Sequence, residues 1–305
     1  MAELAGFVRL LKRLVRLPAR SLRLLALYAR MDVLWILRAK SSAATFYLSE
    51  WLRGIGVVVA TGLIAARFDG IGPWSRSEVA FLLGYSLLVR GTVDVVFGWN
   101  LAHVSRRIGR GQLDHMLLQP VPLPVLVLVE GFSPLTGSGL FVSGVALLAF
   151  AGHGLGALGP AAFALHWAAS VAVVIAFSYA WGSVAFWAPR AAEEINSSTM
   201  ELVDQLRAFP LDGLAPGLLA LLVSAVPVGL VAWWPARVLL QVGEPSGSAL
   251  FASPNAPFLA PALAPFLAPL AALVLAAVAA AIFARGLGHY RATGSIRYLS
   301  LGHRR

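Results

Sequence analysis

Residues 261–284 read PALAPFLAPLAALVLAAVAAAIFA, a stretch without a charged side chain. About 20 such residues in a helix cross the hydrocarbon core of a bilayer. A helix that is apolar all round lies either in a large protein core or in a membrane, and the rest of the chain decides between them. Of its 305 residues 59% are apolar and only 12% charged, with a mean hydropathy of +0.78. Soluble domains carry roughly 25% charged residues, so this chain has too few to solvate a globular surface of its size. A soluble enzyme and a disordered chain are both excluded. Lys+Arg number 24 against 14 Asp+Glu, a net charge of +10. In a soluble protein that excess would point to nucleic acid. Here it reads as Arg concentrated on one side of a membrane, and no nucleic-acid partner is expected. Lys12 and Lys40 are the only lysines, and Ala, Gly and Pro abound. This composition suggests a GC-rich bacterial genome and a multi-pass protein of the bacterial plasma membrane. There is no Cys, hence no disulfide and no thiolate metal site.

Working outward from 261–284, five more candidate spans precede it: Ala44 to Ala66, Val79 to Val104, Leu123 to Phe150, Pro160 to Trp187 and Leu214 to Trp233. The predicted fold is therefore an all-α membrane protein with six transmembrane helices over residues 41–288. Residues 1–40 form an amphipathic region ahead of them. Arg9, Lys12, Arg13, Arg16, Arg20 and Arg23 share one arc of a helix over 4–25, and Leu4, Phe7, Leu11, Leu14 and Leu22 the other. Such a helix lies in the membrane interface, Arg toward anionic lipid headgroups. The basic run is too long for a signal peptide, because Arg30 and Asp32 split the apolar stretch Leu24 to Leu37. The start of the chain is expected to stay cytoplasmic and uncleaved. Charge sets the orientation. Of the 24 Lys/Arg, nineteen fall in the segments predicted to share the cytoplasmic side, and Arg67, Arg76 and Arg237 fall opposite. Both termini are thus predicted inside, with 289–305 a cytoplasmic tail.

Three connections are patterned. The segment 105–122, SRRIGRGQLDHMLLQPVP, mixes apolar and basic residues in a cytoplasmic loop. Residues 189–210 place Ile195, Thr199, Leu202, Leu206 and Phe209 on one helical stripe, with Glu193, Glu194, Glu201 and Asp204 elsewhere. This predicts a cytoplasmic amphipathic helix stopped at Pro210. The external segment 234–258 is too apolar for a free loop and is expected to dip back toward the membrane.

Catalytic chemistry is sparse. None of the six His lies three or four residues from another, so a helical two-His metal site is absent, and no metal is expected. There is no GxxxxGK[ST], so the chain lacks that route to ATP. The Ser138 of Gly137–Gly139 is better explained by close packing of small residues than as a nucleophile. Charges inside spans cost about 2.5–3.5 kcal/mol each at the bilayer centre. Glu50 with Arg53, and Arg90 with Asp94, stand one helical turn apart and can neutralise each other. They serve either as structural pairs or as a polar lining. Glu130 has no partner in its own helix; it snorkels to the surface or meets an Arg from a neighbour.

The segment Ile108 to Pro120, IGRGQLDHMLLQP, resembles the cytoplasmic loop of type-two ABC exporter permeases, through Ile108, Gly111, Leu113, Asp114, Leu117 and Pro120. LLVRGTVD (87–94), FW (186–187), FPLDGL (209–214), VPVGLVAWWPARVLL (226–240) and HYRATGS (289–295) resemble further parts of that family, in order. The resemblance implies the membrane subunit of an ATP-driven exporter. It implies two six-span halves, identical or homologous, each resting on a separate ABC ATPase subunit that binds ATP and Mg, with no cofactor on this chain. The loop would be the coupling element. On that reading Leu113, Met116 and Leu117 anchor in an ATPase groove beside Ile108. Arg106, Arg107, Arg110 and Asp114 pair at its rim, and Gly109 and Gly111 turn the backbone. The apolar spans lean toward a hydrophobic or amphipathic cargo. Two rivals stand beside this reading. A membrane-embedded lipid-modifying enzyme would need clustered carboxylates or His at one face, and only Glu193 to Asp204 offers them. A secondary transporter would need inverted repeats and paired broken helices, and only the GFSPLTGSG of 131–139 suggests a break.

Overall fold

The computed structural model describes residues 22–68, 70–98, 100–119, 123, 126–127, 130–152, 159–240, 242 and 265–294. These residues are predominantly helical, with no strand among them. Residues 22–38 form α1, and after a break at Ala39 the chain continues as α2 (Lys40–Phe68). The expected helix over 4–25 lies almost wholly outside the described residues. Then come α3 (Arg76–Val96), α4 (Asn100–Gly109), α5 (Leu113–Leu117), α6 (Ser138–Ala151) and α7 (Gly159–Ser183), the last extended by one 3-10 turn to Phe186. The remaining helices are α8 (Pro189–Leu206), α9 (Pro216–Ser224), α10 (Val228–Val231), α11 (Trp233–Leu240) and α12 (Leu267–Thr293). Arg76–Val96, Gly159–Phe186 and Leu267–Thr293 are long and apolar enough to cross a membrane.

The start of α3 is fixed by a capping box. Ser75 Oγ accepts from the Glu78 backbone N–H, and the Glu78 carboxylate accepts from the Ser75 N–H. From there α3 runs antiparallel to α6 at close range. A Cβ added at Gly91 would stand 2.1 Å from the Phe141 backbone nitrogen, and one at Gly144 would stand 2.4 Å from that of Leu88. Small residues let two backbones touch where apolar burial drives little association. Helix α12 packs along α7 in the same direction. Ala276 to Leu287 face Ala172 to Tyr179, and Phe283 and Tyr290 meet Phe186 edge-on beyond the end of α7.

The structure corrects three expectations. The second span does not run unbroken to Val104: the helix stops at Val96, and Gly98 turns the chain at φ +47° before α4 begins. A Cβ there would stand 2.4 Å from the Gly131 carbonyl oxygen, so the break leans directly on residues 131–133. The third span is likewise not one helix, because α6 begins only at Ser138 and residues 131–137 are irregular.

The third correction concerns residues 189–233. The helix over 189–206 is not a surface element beyond the bundle. Its partners climb back along α4 and α3: Glu193 pairs with Arg106, Asp204 with Arg90, and Arg207 donates to the Ser86 carbonyl at 2.6 Å. Asp212, just past its end, accepts from Trp74 Nε1 at 2.6 Å, ahead of the start of α3. So the chain from Glu193 through α8 to Asp212 runs past α4 and α3 in the opposite direction. The expected fifth span, 214–233, is instead two short helices, interrupted at 225–227 and followed after Ala232 by a third that starts at Trp233. Pro216 and Pro227 stand at their starts, where a missing N–H costs nothing. These helices gather against Trp74 and the first turns of α3, at the end of the bundle that α8 reaches.

Candidate functional site: the α4–α5 segment and the charged joint

The segment predicted to couple to an ATPase folds as helix, turn, helix. Gly111 takes φ +70°, which reverses the chain between α4 and α5, whereas Gly109 stays helical and does no turning. Ile108 is 3% exposed, Leu113 2% and Met116 5%. They pack with Leu126, Val127, Phe186 and Tyr290 of this same chain. Leu113 and Met116, expected to reach into a partner's groove, use their apolar surface within this chain to hold the segment in place. Leu117 is half-buried against the same cluster. What faces outward is Arg110, Gln112, Asp114, His115, Leu118 and Gln119, with Leu118 83% exposed. Pro120 lies outside the described residues. Asp114 accepts a hydrogen bond from the Tyr290 hydroxyl at 2.7 Å, which ties α5 to the last turn of α12.

Ion pairs brace this segment from within. Arg106 bonds Glu193 of α8 at 2.7 Å, and Arg107 pairs with Glu130. Glu130 thus meets an Arg from a neighbouring element, as one of its two expected fates required. The Tyr28 hydroxyl of α1 stands close enough to feel both. Its pKa is raised above the usual 10, first by burial and then by the Glu130 carboxylate.

One level further into the bundle, Arg90 bonds Asp94 at 3.0 Å, the i,i+4 pair expected from spacing, and also Asp204. Asp204 in turn holds Arg207 at 3.2 Å. The Glu50 and Arg53 side chains lie outside the described residues. Beside Asp94 the two broken elements interlock. The Ser133 N–H donates to the Val95 carbonyl at 2.9 Å, and its hydroxyl to the Asp94 carbonyl.

Two functional candidates were not found from sequence. Asp32 of α1, 9% exposed, accepts from the backbone N–H groups of Leu135 and Thr136 at 2.8 and 3.2 Å and from the Thr136 hydroxyl at 2.9 Å. It satisfies amides just ahead of α6, where a carboxylate is favoured by the helix dipole. Asp212 gathers Trp74, Trp233 and Arg237 at the opposite end. Among the described residues there is no group of His, Cys or carboxylates able to hold a metal.

This arrangement has long apolar helices, charges neutralised pairwise inside the bundle, and a compact braced segment at one end. It is the arrangement of an integral membrane protein. The model of the ABC-2 family transporter protein matches residues 55–294, and the chain belongs to that family. It is thus a membrane permease of the ABC transporter class. No curated protein and no solved structure matches it.

Proposed function

We propose that this chain is the permease subunit of an ATP-driven exporter, working with a separate ABC ATPase that supplies the nucleotide and Mg sites. The α4–α5 segment is its coupling element. The observation that carries this reading is the contrast within that segment. Its apolar residues lock inward onto α7, α12 and the chain after α5, while Arg110, Asp114, His115 and Leu118 are held outward on a rigid mount. A push on the outer face reaches α8 through Arg106–Glu193 and α12 through Asp114–Tyr290. A soluble ATPase should co-purify with the chain from native membranes, and purification without one would sink the reading.

In the same proposal six crossings are kept, but the fifth is α8. Residues 216–240 enter and leave from the outside. Moving Arg207 into the bundle leaves the charge asymmetry, and both termini, on the cytoplasmic side. Glu194, Ser197, Ser198, Glu201 and Gln205 fall on one exposed stripe of α8. Facing lipid, each carboxylate would cost about 2.5–3.5 kcal/mol. Covered by a second permease half, the stripe lines a polar route between the halves. Phe209, 40% exposed just beyond α8, discriminates the two topologies. Phe209→Cys in this Cys-free chain should react with an impermeant maleimide from outside. Reaction only from inside would restore the cytoplasmic placement of 189–210.

A further inference from the structure

Between α7 and α12 lies a cavity of about 530 Å³ that the exporter reading does not use. Its walls are Ala172, Ala176, Ala279 and Ala280, its floor Phe97 and Val127, and Tyr179 is its one polar side chain. The Tyr179 hydroxyl is already committed to the Val127 carbonyl at 2.9 Å. The cavity therefore offers no unmet hydrogen bond and suits a ligand without polar atoms. It opens sideways: Ala276 and Ala280 are exposed, and the adjoining face of α12 carries Leu270, Leu273, Val274 and Val278, all exposed and apolar. A surface of that kind meets hydrocarbon, not water.

The cavity also has a charged mouth. Its α12 wall is the stripe Ala276, Ala280, Phe283 and Leu287, and the next position on that stripe is Arg291, exposed in the last turn. At the same end of α12 Trp187, 44% exposed, stacks on His289 with ring centroids 5.9 Å apart. Trp at the end of a span marks the membrane–water interface. Apolar depth, sideways opening, an interfacial aromatic and a terminal Arg together match one class of amphiphile.

We infer that this groove is a binding site for an anionic phospholipid of the cytoplasmic leaflet. One acyl chain lies between α7 and α12, and the headgroup is met by Arg291. The acyl chain would rest on Phe97, directly beside the Gly98 break. The inference rests on the chain being a membrane protein with the end of α12 on the cytoplasmic side, and is independent of an ATPase partner.

The full chain, purified in mild detergent, is titrated with dioleoyl phosphatidylglycerol or dioleoyl phosphatidylcholine and followed by native mass spectrometry. The first phosphatidylglycerol should bind about fivefold tighter than phosphatidylcholine, the contribution of one near-surface Arg. Arg291→Gln should erase that preference while still binding both lipids. Ala280→Trp, which fills the groove, should lose the first tight site for both. If its melting temperature shows that it fails to fold, Ala276→Leu should weaken both lipids in the same direction. Undiminished binding in a folded groove-filling variant would overturn the proposal, as would equal affinity for the two lipids in the unsubstituted chain. So would a disulfide-linked dimer formed by Ala280→Cys in native membranes, which would put a second copy of the chain in the groove.

Discussion

Asp212→Ala is expected to lower the stability of the folded chain by about 3–5 kcal/mol, the usual cost of stranding one member of a buried ion pair. The Asp212 side chain is 11% exposed and that of Arg237 20%, so neither charge can turn to water for compensation. Trp74 and Trp233 are each 1% exposed, and both indole N–H groups end on the same carboxylate oxygen. Removing it leaves two buried donors as well as the guanidinium without this acceptor. The Arg237 guanidinium keeps one favourable contact, 5.7 Å from the Trp233 ring centre, which is too weak to replace the carboxylate. Asp212→Asn should fall between, since an amide oxygen still accepts from indole but does not neutralise Arg237. The damage should be local to the end where α9 to α11 gather, because these helices are short and interrupted and have little stability of their own. Denaturation of the purified chain, followed by Trp fluorescence, reads the effect directly. A variant as stable as the unsubstituted chain would show that the cluster is incidental.

The parts legible in the sequence were those whose neighbours are lipid or apolar protein. Helices α3, α7 and α12 follow apolar runs, and Arg90 with Asp94 follows helical spacing, because in both cases the deciding partner is local. The packing of α8 was not legible for the opposite reason. Glu193, Asn196 and Asp204 make 189–206 look like a surface helix, yet each is met by another helix of the chain, through Arg106, Ser178 and Arg90. Hydropathy weighs each residue against lipid or water and has no means of weighing it against an ion-pair partner 87 or 114 positions away. The apolar run 214–233 read as a single helix, although Pro216 and Pro227 within it start separate short helices. The GFSPLTGSG break was visible as composition. Its counterpart at Gly98 was not, since one glycine in an apolar stretch gives no sign of its dihedral angle. Asp32 was seen only as an interruption in Leu24 to Leu37. That it holds the amides of Leu135 and Thr136 depends on how α1 folds back, which no local pattern encodes. At the α4–α5 segment the amphipathic pattern was legible, but not what its apolar face meets. Ile108, Leu113 and Met116 are apolar because they face this chain's own core, and a pattern alone does not say which protein supplies the groove.

That inward packing makes Leu118 the sharpest probe of the central claim. Leu117→Asp would disturb the packing under α5 as well as the outer face. Leu118, 83% exposed, touches little of its own chain. A charge there costs the isolated permease almost nothing, since surface substitutions usually stay within about 0.5 kcal/mol. If an ATPase seats on this face, the same aspartate is forced into a desolvated contact. A central apolar anchor lost in that way typically costs 2 kcal/mol or more, roughly thirtyfold or above in affinity. The decisive measurement is the amount of ATPase that co-purifies with Leu118→Asp, relative to permease inserted in the membrane. The account predicts normal insertion, an unchanged melting profile and an ATPase yield reduced at least about thirtyfold. A variant that keeps its full complement of ATPase would contradict it, and the α4–α5 segment would then not be where the two subunits meet.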